Sequence, residues 1–168
     1  MNAVPYLTTL MHAIRQERLE VVLIGNAAAA IHGAPVTTLD FDFMFCQTPV
    51  NMAKLKRVAA SLDAMILRPF YPVSKLYRMV NDSTGLQADF MPAIHGVKSF
   101  ASLKSRAEER EVGGVSLMIA SLDDIIASKK AAGRDRDLAV LPILERTREA
   151  IASPRKPPVR SRRRGKET

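Results

Sequence analysis

The segment Leu39-Asp40-Phe41-Asp42-Phe43 constrains this chain more than any other. Apolar and acidic residues alternate, and only an extended strand sends successive side chains to opposite faces. Leu39, Phe41 and Phe43 then share a face that must be buried. Asp40 and Asp42 share the other, roughly 6–7 Å apart along the backbone. An isolated Asp-x-Asp most often marks an edge strand whose acids face water. Burying two unpaired carboxylates on a phenylalanine-rich strand is costly unless a cation accompanies them. What the rest of the chain brings to these acids therefore decides their role.

The preceding residues bring a turn. Glu20 to Ile24 is a short β-branched run, read as a buried strand that stops at Gly25. Asn26 is expected to cap the alanine-rich helix Ala27 to Ile31, and Gly33 to supply its left-handed stop. His32 to Thr38 forms a tight polar connection into the acidic strand, which reads as Thr37 to Phe45. The Gly25-Asn26 turn offers free N–H groups and close approach, which suits a phosphate. Asp89, in the strand-like Leu86-Gln-Ala-Asp-Phe90, can supply a third carboxylate. A third acid beside the pair is what a two-cation site for phosphoryl or nucleotidyl transfer requires.

The remaining pattern is that of one α+β domain over residues 1–152. Leu7 to Arg18 and Val50 to Leu62 read as helices, the second with Met52, Leu55, Val58, Ala59 and Leu62 on one face. Ala64 to Leu67, Lys75 to Val80 and Leu86 to Met91 are strand candidates, the last two joined by a turn over Asn81 to Gly85. Val115 to Ile119 is a further strand. Ser121 and Asp124 have capping-box spacing and open a helix from Leu122 to Ala132, ended by Gly133. A final helix runs from Asp135 to about Ile151, with a bend or early break expected at Pro142. The expected architecture is a mixed sheet of about five strands with helices packed against it.

Charge needs dividing before it is interpreted. The 168 residues carry a net charge of +8, but seven basic residues and one acid lie between Ser153 and Thr168, giving that stretch +6. It also holds Pro154, Pro157 and Pro158, and too little apolar surface to bury itself. Residues 153–168 are therefore expected to be a disordered basic tail, suited either to nucleic acid or to solubility alone. No apolar run approaches the roughly 20 residues that span a bilayer, so no membrane partner is expected. The first residues lack the pattern of a signal peptide. Cys46 is the only cysteine, which excludes an internal disulfide and a cysteine-based zinc site. A reducing cytoplasm is the expected location, with Cys46 packed in the interior. Met44, Met65, Met79 and Met91 are likewise expected in the core.

Taken in order, Gly25-Asn26, Asp40-Phe41-Asp42 and Asp89 resemble the DNA polymerase β-type nucleotidyltransferase superfamily. Leu23 to Asp42 is similar to small single-domain bacterial and archaeal members, with their strand, Gly-Gly turn, helix ending in His-Gly, and Pro-Arg-x-Thr-x-Asp-x-Asp. Lys129-Lys-Ala-Ala-Gly-Arg134-Asp-Arg-Asp137 is similar to a downstream Lys…Ala-Gly-Arg-x-x-Asp segment of the same proteins. The resemblance spans about Val21 to Leu144. Two positions depart from it: Asn26 stands for the usual Gly or Ser, and Val36 for an Arg.

The resemblance implies a nucleotidyltransferase fold and transfer of a nucleoside monophosphate from a nucleoside triphosphate to a hydroxyl. Asp40, Asp42 and Asp89 would hold two Mg2+ ions, Asp89 binding the one that activates the acceptor. Gly25, Asn26, Thr38 and Lys129 would contact the nucleotide, Lys129 neutralising the leaving group. Arg134 and Asp137 read as a structural ion pair, and His32 as a packing or hydrogen-bonding residue. The acceptor is a small molecule, RNA or protein, and by analogy the chain is a candidate toxin of a toxin–antitoxin pair. Two alternatives stand beside this: a catalytically inactive member that binds a partner protein or nucleotide, and a nucleic-acid-binding module using the tail.

Overall fold

The computed structural model describes residues 4–38 and 40–153. Six helices and seven strands follow one another as α1 (Val4–Gln16), β1 (Val21–Ile24), α2 (Gly25–Ile31), β2 (Phe41–Phe45), α3 (Pro49–Ser61), β3 (Met65–Leu67), β4 (Tyr77–Asn81), β5 (Leu86–Met91), α4 (Phe100–Arg106), β6 (Glu108–Val112), β7 (Val115–Ile119), α5 (Leu122–Ala132) and α6 (Asp135–Ala152). The fold is α+β, and its strands form one mixed sheet in the order β3-β4-β5-β2-β1-β7-β6. Strand β2 sits at its centre, antiparallel to β1 and parallel to β5.

Cross-strand register gives the sheet its chemical pattern. Tyr77, Phe90, Phe43, Leu23 and Ile119 lie in one row across β4, β5, β2, β1 and β7. All five are buried, and Phe43 stacks on Phe90 with ring centroids 5.1 Å apart. One residue along, the row on the opposite face reads Arg78, Asp89, Asp42, Ile24. Strand alternation thus fixes both an aromatic core and a charged row from the same strands.

The sheet has seven strands where about five were expected. Strand β6 was missed because Glu108-Glu-Arg-Glu-Val112 is an edge strand without apolar alternation, its middle three residues exposed. Strand β2 begins at Phe41 rather than Thr37, so Asp40 occupies a bend just before it. Asn26 does not cap α2. The helix starts at Gly25, with Ile24 at the N-cap position and no side-chain cap. Met65 is 60% exposed because β3 is the other sheet edge, and Cys46 is exposed just past the end of β2; neither joins the core. Helix α6 passes through Pro142 unbroken. Pro142 and Leu138 face solvent while Leu141 and Leu144 are buried, so water can reach the carbonyl that the missing N–H leaves free.

Other local readings hold. Asn81 Oδ1 accepts from the Ser83 and Thr84 amides, closing the β4–β5 turn. Ser121 Oγ accepts from the Asp124 amide and donates to its carboxylate, and Arg106 forks onto the same carboxylate. Gly133 ends α5 with φ 62°. Among the described residues no helix is long and apolar enough to cross a membrane. The basic tail lies, from Pro154 onward, outside the described residues.

Candidate active site

The acids meet where β2 and β5 run side by side. Asp42 and Asp89 are direct register partners on neighbouring parallel strands, so their carboxylates project from the same face. Asp40 stands two residues before Asp42, exposed and close enough to act on it electrostatically. Asp42 is pushed up from its ordinary 3.8 to about 6, first by burial and then by the charges of Asp89 and Asp40. Lys129 on α5 and Arg136 on α6 pull in the other direction without cancelling it. No described residue hydrogen-bonds or ion-pairs with the Asp42 carboxylate. A half-buried carboxylate in that condition suits a hard cation.

Gly25 shows how tightly the turn is fitted to this acid. A Cβ at this position would lie 2.7 Å from Asp42 Oδ2, and its φ of +67° is a conformation that favours glycine. The turn and the acidic strand are therefore one unit. Gly25→Ala is expected to cost at least about 1–2 kcal/mol from the backbone alone, and to displace the Asp42 carboxylate. Thermal melts should fall by about 3–6 °C and nucleotide affinity should fall with them. Asn26, next along, has its Oδ1 buried with no described hydrogen-bond partner, an acceptor left open to a donor from outside these residues.

The other expected residues are placed as follows. Thr38 forms a local turn with Asp40, its hydroxyl donating to the Asp40 carbonyl at 2.8 Å and receiving the Asp40 amide at 3.3 Å. It shapes the approach to the acids. Lys129 is largely buried and donates to Asp137 Oδ1 at 3.1 Å. Arg134 Nε lies 3.1 Å from the other oxygen, so Asp137 ties α5 to the start of α6, the structural pairing expected of Arg134 and Asp137. His32 Nε2 lies 2.8 Å from the Ala120 carbonyl oxygen, which gives it the hydrogen-bonding role expected. His95 is exposed, and Val36 packs partly buried against the core.

Two residues near the acids were not identified from sequence. Arg136 is exposed at the start of α6, and acts on Asp42 through space. Arg78 is the more consequential. From β4 its Nε donates to Asp89 Oδ1 at 2.8 Å and a terminal nitrogen to Oδ2 at 2.7 Å, a two-pronged ion pair with a residue 6% exposed. The contact holds the Arg78 guanidinium proton more firmly than usual, with burial opposing and the charges of Asp89, Asp40 and Asp42 assisting. The turn over Asn81 to Gly85 contained the signal: a hairpin pairing Asn81 with Leu86 must pair Arg78 with Asp89. Among the described residues no three His, Cys, Asp or Glu side chains converge as they stand on one metal position. A surface groove of about 460 Å3 lies elsewhere, between His32, Pro35 and the C-terminal half of α6, and includes none of the acids.

No family model and no curated protein matches this sequence. Solved structures match its fold. The antibiotic-resistance factor ANT(2")-Ia, in complex with adenylyl-2"-tobramycin, aligns with a TM-score of 0.62 over 90% of this chain and 96% of its own, at 14% identity. The lincosamide antibiotic adenylyltransferase LnuA, lincomycin-bound, gives 0.62 over 84% and 95% at 11% identity. The Thermotoga maritima protein TM1012 gives 0.57 over 88% and 91% at 15% identity. The chain therefore has the nucleotidyltransferase fold, and at these identities the likeness extends to the fold alone.

Proposed function

We propose that this protein transfers a nucleoside monophosphate from a nucleoside triphosphate to an acceptor hydroxyl, with magnesium. The observation that carries this is the pairing of Asp42 with Asp89 against the Gly25 turn, in a fold shared with adenylyltransferases. The residues fit a divalent cation: Asp40 and Asp42 offer hard oxygen ligands, and Asp42, raised to about 6, has no cation paired with it among the described residues. Bound there with the triphosphate, magnesium would draw charge from the phosphate oxygens.

The chain's own residues do the rest. Gly25 lets the backbone approach the phosphates beside Asp42, and Asn26 lines the same turn. Lys129 and Arg136 bring positive charge to the face where pyrophosphate departs. The acceptor oxygen forms a bond to the α-phosphorus, the bond from that phosphorus to the β-phosphate bridging oxygen breaks, and the acceptor proton leaves to a nearby carboxylate or water. Asp89, held by Arg78, fixes the negative edge of the site.

The acceptor is a small molecule, an RNA end or a protein side chain. ANT(2")-Ia in complex with adenylyl-2"-tobramycin and lincomycin-bound LnuA put antibiotic hydroxyls first among those to test. A place as the toxin of a toxin–antitoxin pair, and contact with nucleic acid through the tail, are further proposals that rest on analogy and charge. A non-catalytic nucleotide binder is the second reading, favoured by the occupation of both Asp89 oxygens by Arg78.

Incubation with each labelled nucleoside triphosphate, Mg2+ and either an antibiotic panel or a cell extract separates the two. Label carried to an acceptor with release of pyrophosphate, lost in Asp42→Asn, is the expected result. Magnesium-dependent binding without transfer would select the second reading.

A further inference from the structure

Arg78 changes the charge count of the site. Asp40, Asp42 and Asp89 bring three negative charges, and the Arg78 guanidinium, bonded to both Asp89 oxygens at 2.8 and 2.7 Å, removes one. Lys129 is itself held by Asp137, so it is not free to take a carboxylate of its own. Of the protein's own carboxylate charge two negative charges then remain, the count for one divalent cation before the triphosphate adds its charge and Arg136 acts from α6. Geometry agrees with the count. Asp89 is 6% exposed, and the guanidinium fork takes one lone pair on each of its oxygens and covers the edge between them. Magnesium binds carboxylate oxygen at about 2.0–2.1 Å and demands near-octahedral surroundings. An ion on an Asp89 oxygen would sit against the guanidinium as well as a neighbouring ion. The three acids also do not converge on a common metal position as they stand.

We infer that this site takes a single divalent cation, held at Asp40 and Asp42 with the nucleotide, and that Arg78 stands on Asp89 in place of a second. The inference rests on the nucleotide reading above. Arg78 is then a fixed cation built into β4, opposite Asp89 through the register of the β4–β5 hairpin. It neutralises Asp89 without an exchangeable ion. Where the resemblance implies two magnesium ions, this chain would supply one of the two cations as a fixed side chain.

Counting bound Mn2+ decides the matter. The full-length protein is titrated with Mn2+ in the presence of a saturating, non-hydrolysable α,β-methylene ATP analogue. Bound Mn2+ is read by loss of its free electron-paramagnetic-resonance signal, and bound nucleotide by equilibrium dialysis. One Mn2+ per bound nucleotide is expected for the wild type. Two per nucleotide would overturn the inference while leaving the nucleotide reading intact. No Mn2+-dependent nucleotide binding would instead remove the nucleotide reading, and this inference with it. Arg78→Gln, checked for folding by circular dichroism, is expected to admit a second Mn2+. A folded variant that still binds one would show that Arg78 excludes nothing, and would overturn the assignment.

Discussion

Asp42→Asn is expected to make the cation-free protein more stable at neutral pH while removing its capacity for magnesium-dependent nucleotide binding. Asp42 has its native pKa raised from 3.8 to about 6, so the folded state holds that proton more tightly than the unfolded chain. The stability this contributes is full below pH 3.8 and is lost as pH rises through about 6. Above that, ionised Asp42 costs the fold about 3 kcal/mol, an order-of-magnitude figure. Asparagine does not titrate, so the variant should gain nothing near pH 4 and reach its full advantage by about pH 7. In melts this is about 6–12 °C for a chain of this size. Saturating Mg2+ and nucleotide should narrow the gap by stabilising only the wild type. A variant less stable than wild type at pH 7.5 without cation would show that the acid is satisfied by the protein itself.

Arg78→Gln is expected to destabilise strongly in the opposite direction. Asp89 is buried, and Arg78 is the partner that forks onto both its oxygens. Removing one member of a buried ion pair costs about 3–5 kcal/mol because the other charge is left unmatched. Arg78 is 33% exposed along its side chain, and solvent screening lowers the expectation to about 2–3 kcal/mol. The double variant Arg78→Gln/Asp89→Asn should recover most of the loss, since it leaves no orphaned charge. Urea melts of the four proteins give the coupling directly, and additive effects would contradict the pairing.

These two effects lie on one row of the sheet, and the sequence revealed only half of it. Asp42 and Asp89 were legible because alternation on a strand is a strong signal and because their order along the chain resembles a known arrangement. Arg78 was not identified, although the Asn81–Gly85 turn places it opposite Asp89 once the hairpin register is followed. Register is a tertiary property, and composition along β4 alone does not display it. Strand β6 escaped for a related reason: an edge strand made mostly of charged residues buries too little to show a period. Cys46 and Met65 were misplaced because apolar neighbours in sequence do not reveal where a strand ends or which strand lies at the edge. The turn at Gly25 was expected to let a phosphate approach closely; what approaches it in the structure is the Asp42 carboxylate. Helix α2 begins at Gly25, so Asn26 lies within the helix rather than at its cap.

The central claim is that Asp40, Asp42 and the Gly25 turn form a cation-dependent nucleotide site. Calorimetric titration of the non-hydrolysable ATP analogue, with and without Mg2+, into wild type and Asp42→Asn tests it most directly. The wild type should bind only with Mg2+, and the variant about a hundredfold more weakly, a loss of about 2.7 kcal/mol. Equal binding by the two proteins, or wild-type binding indifferent to Mg2+, would contradict the account.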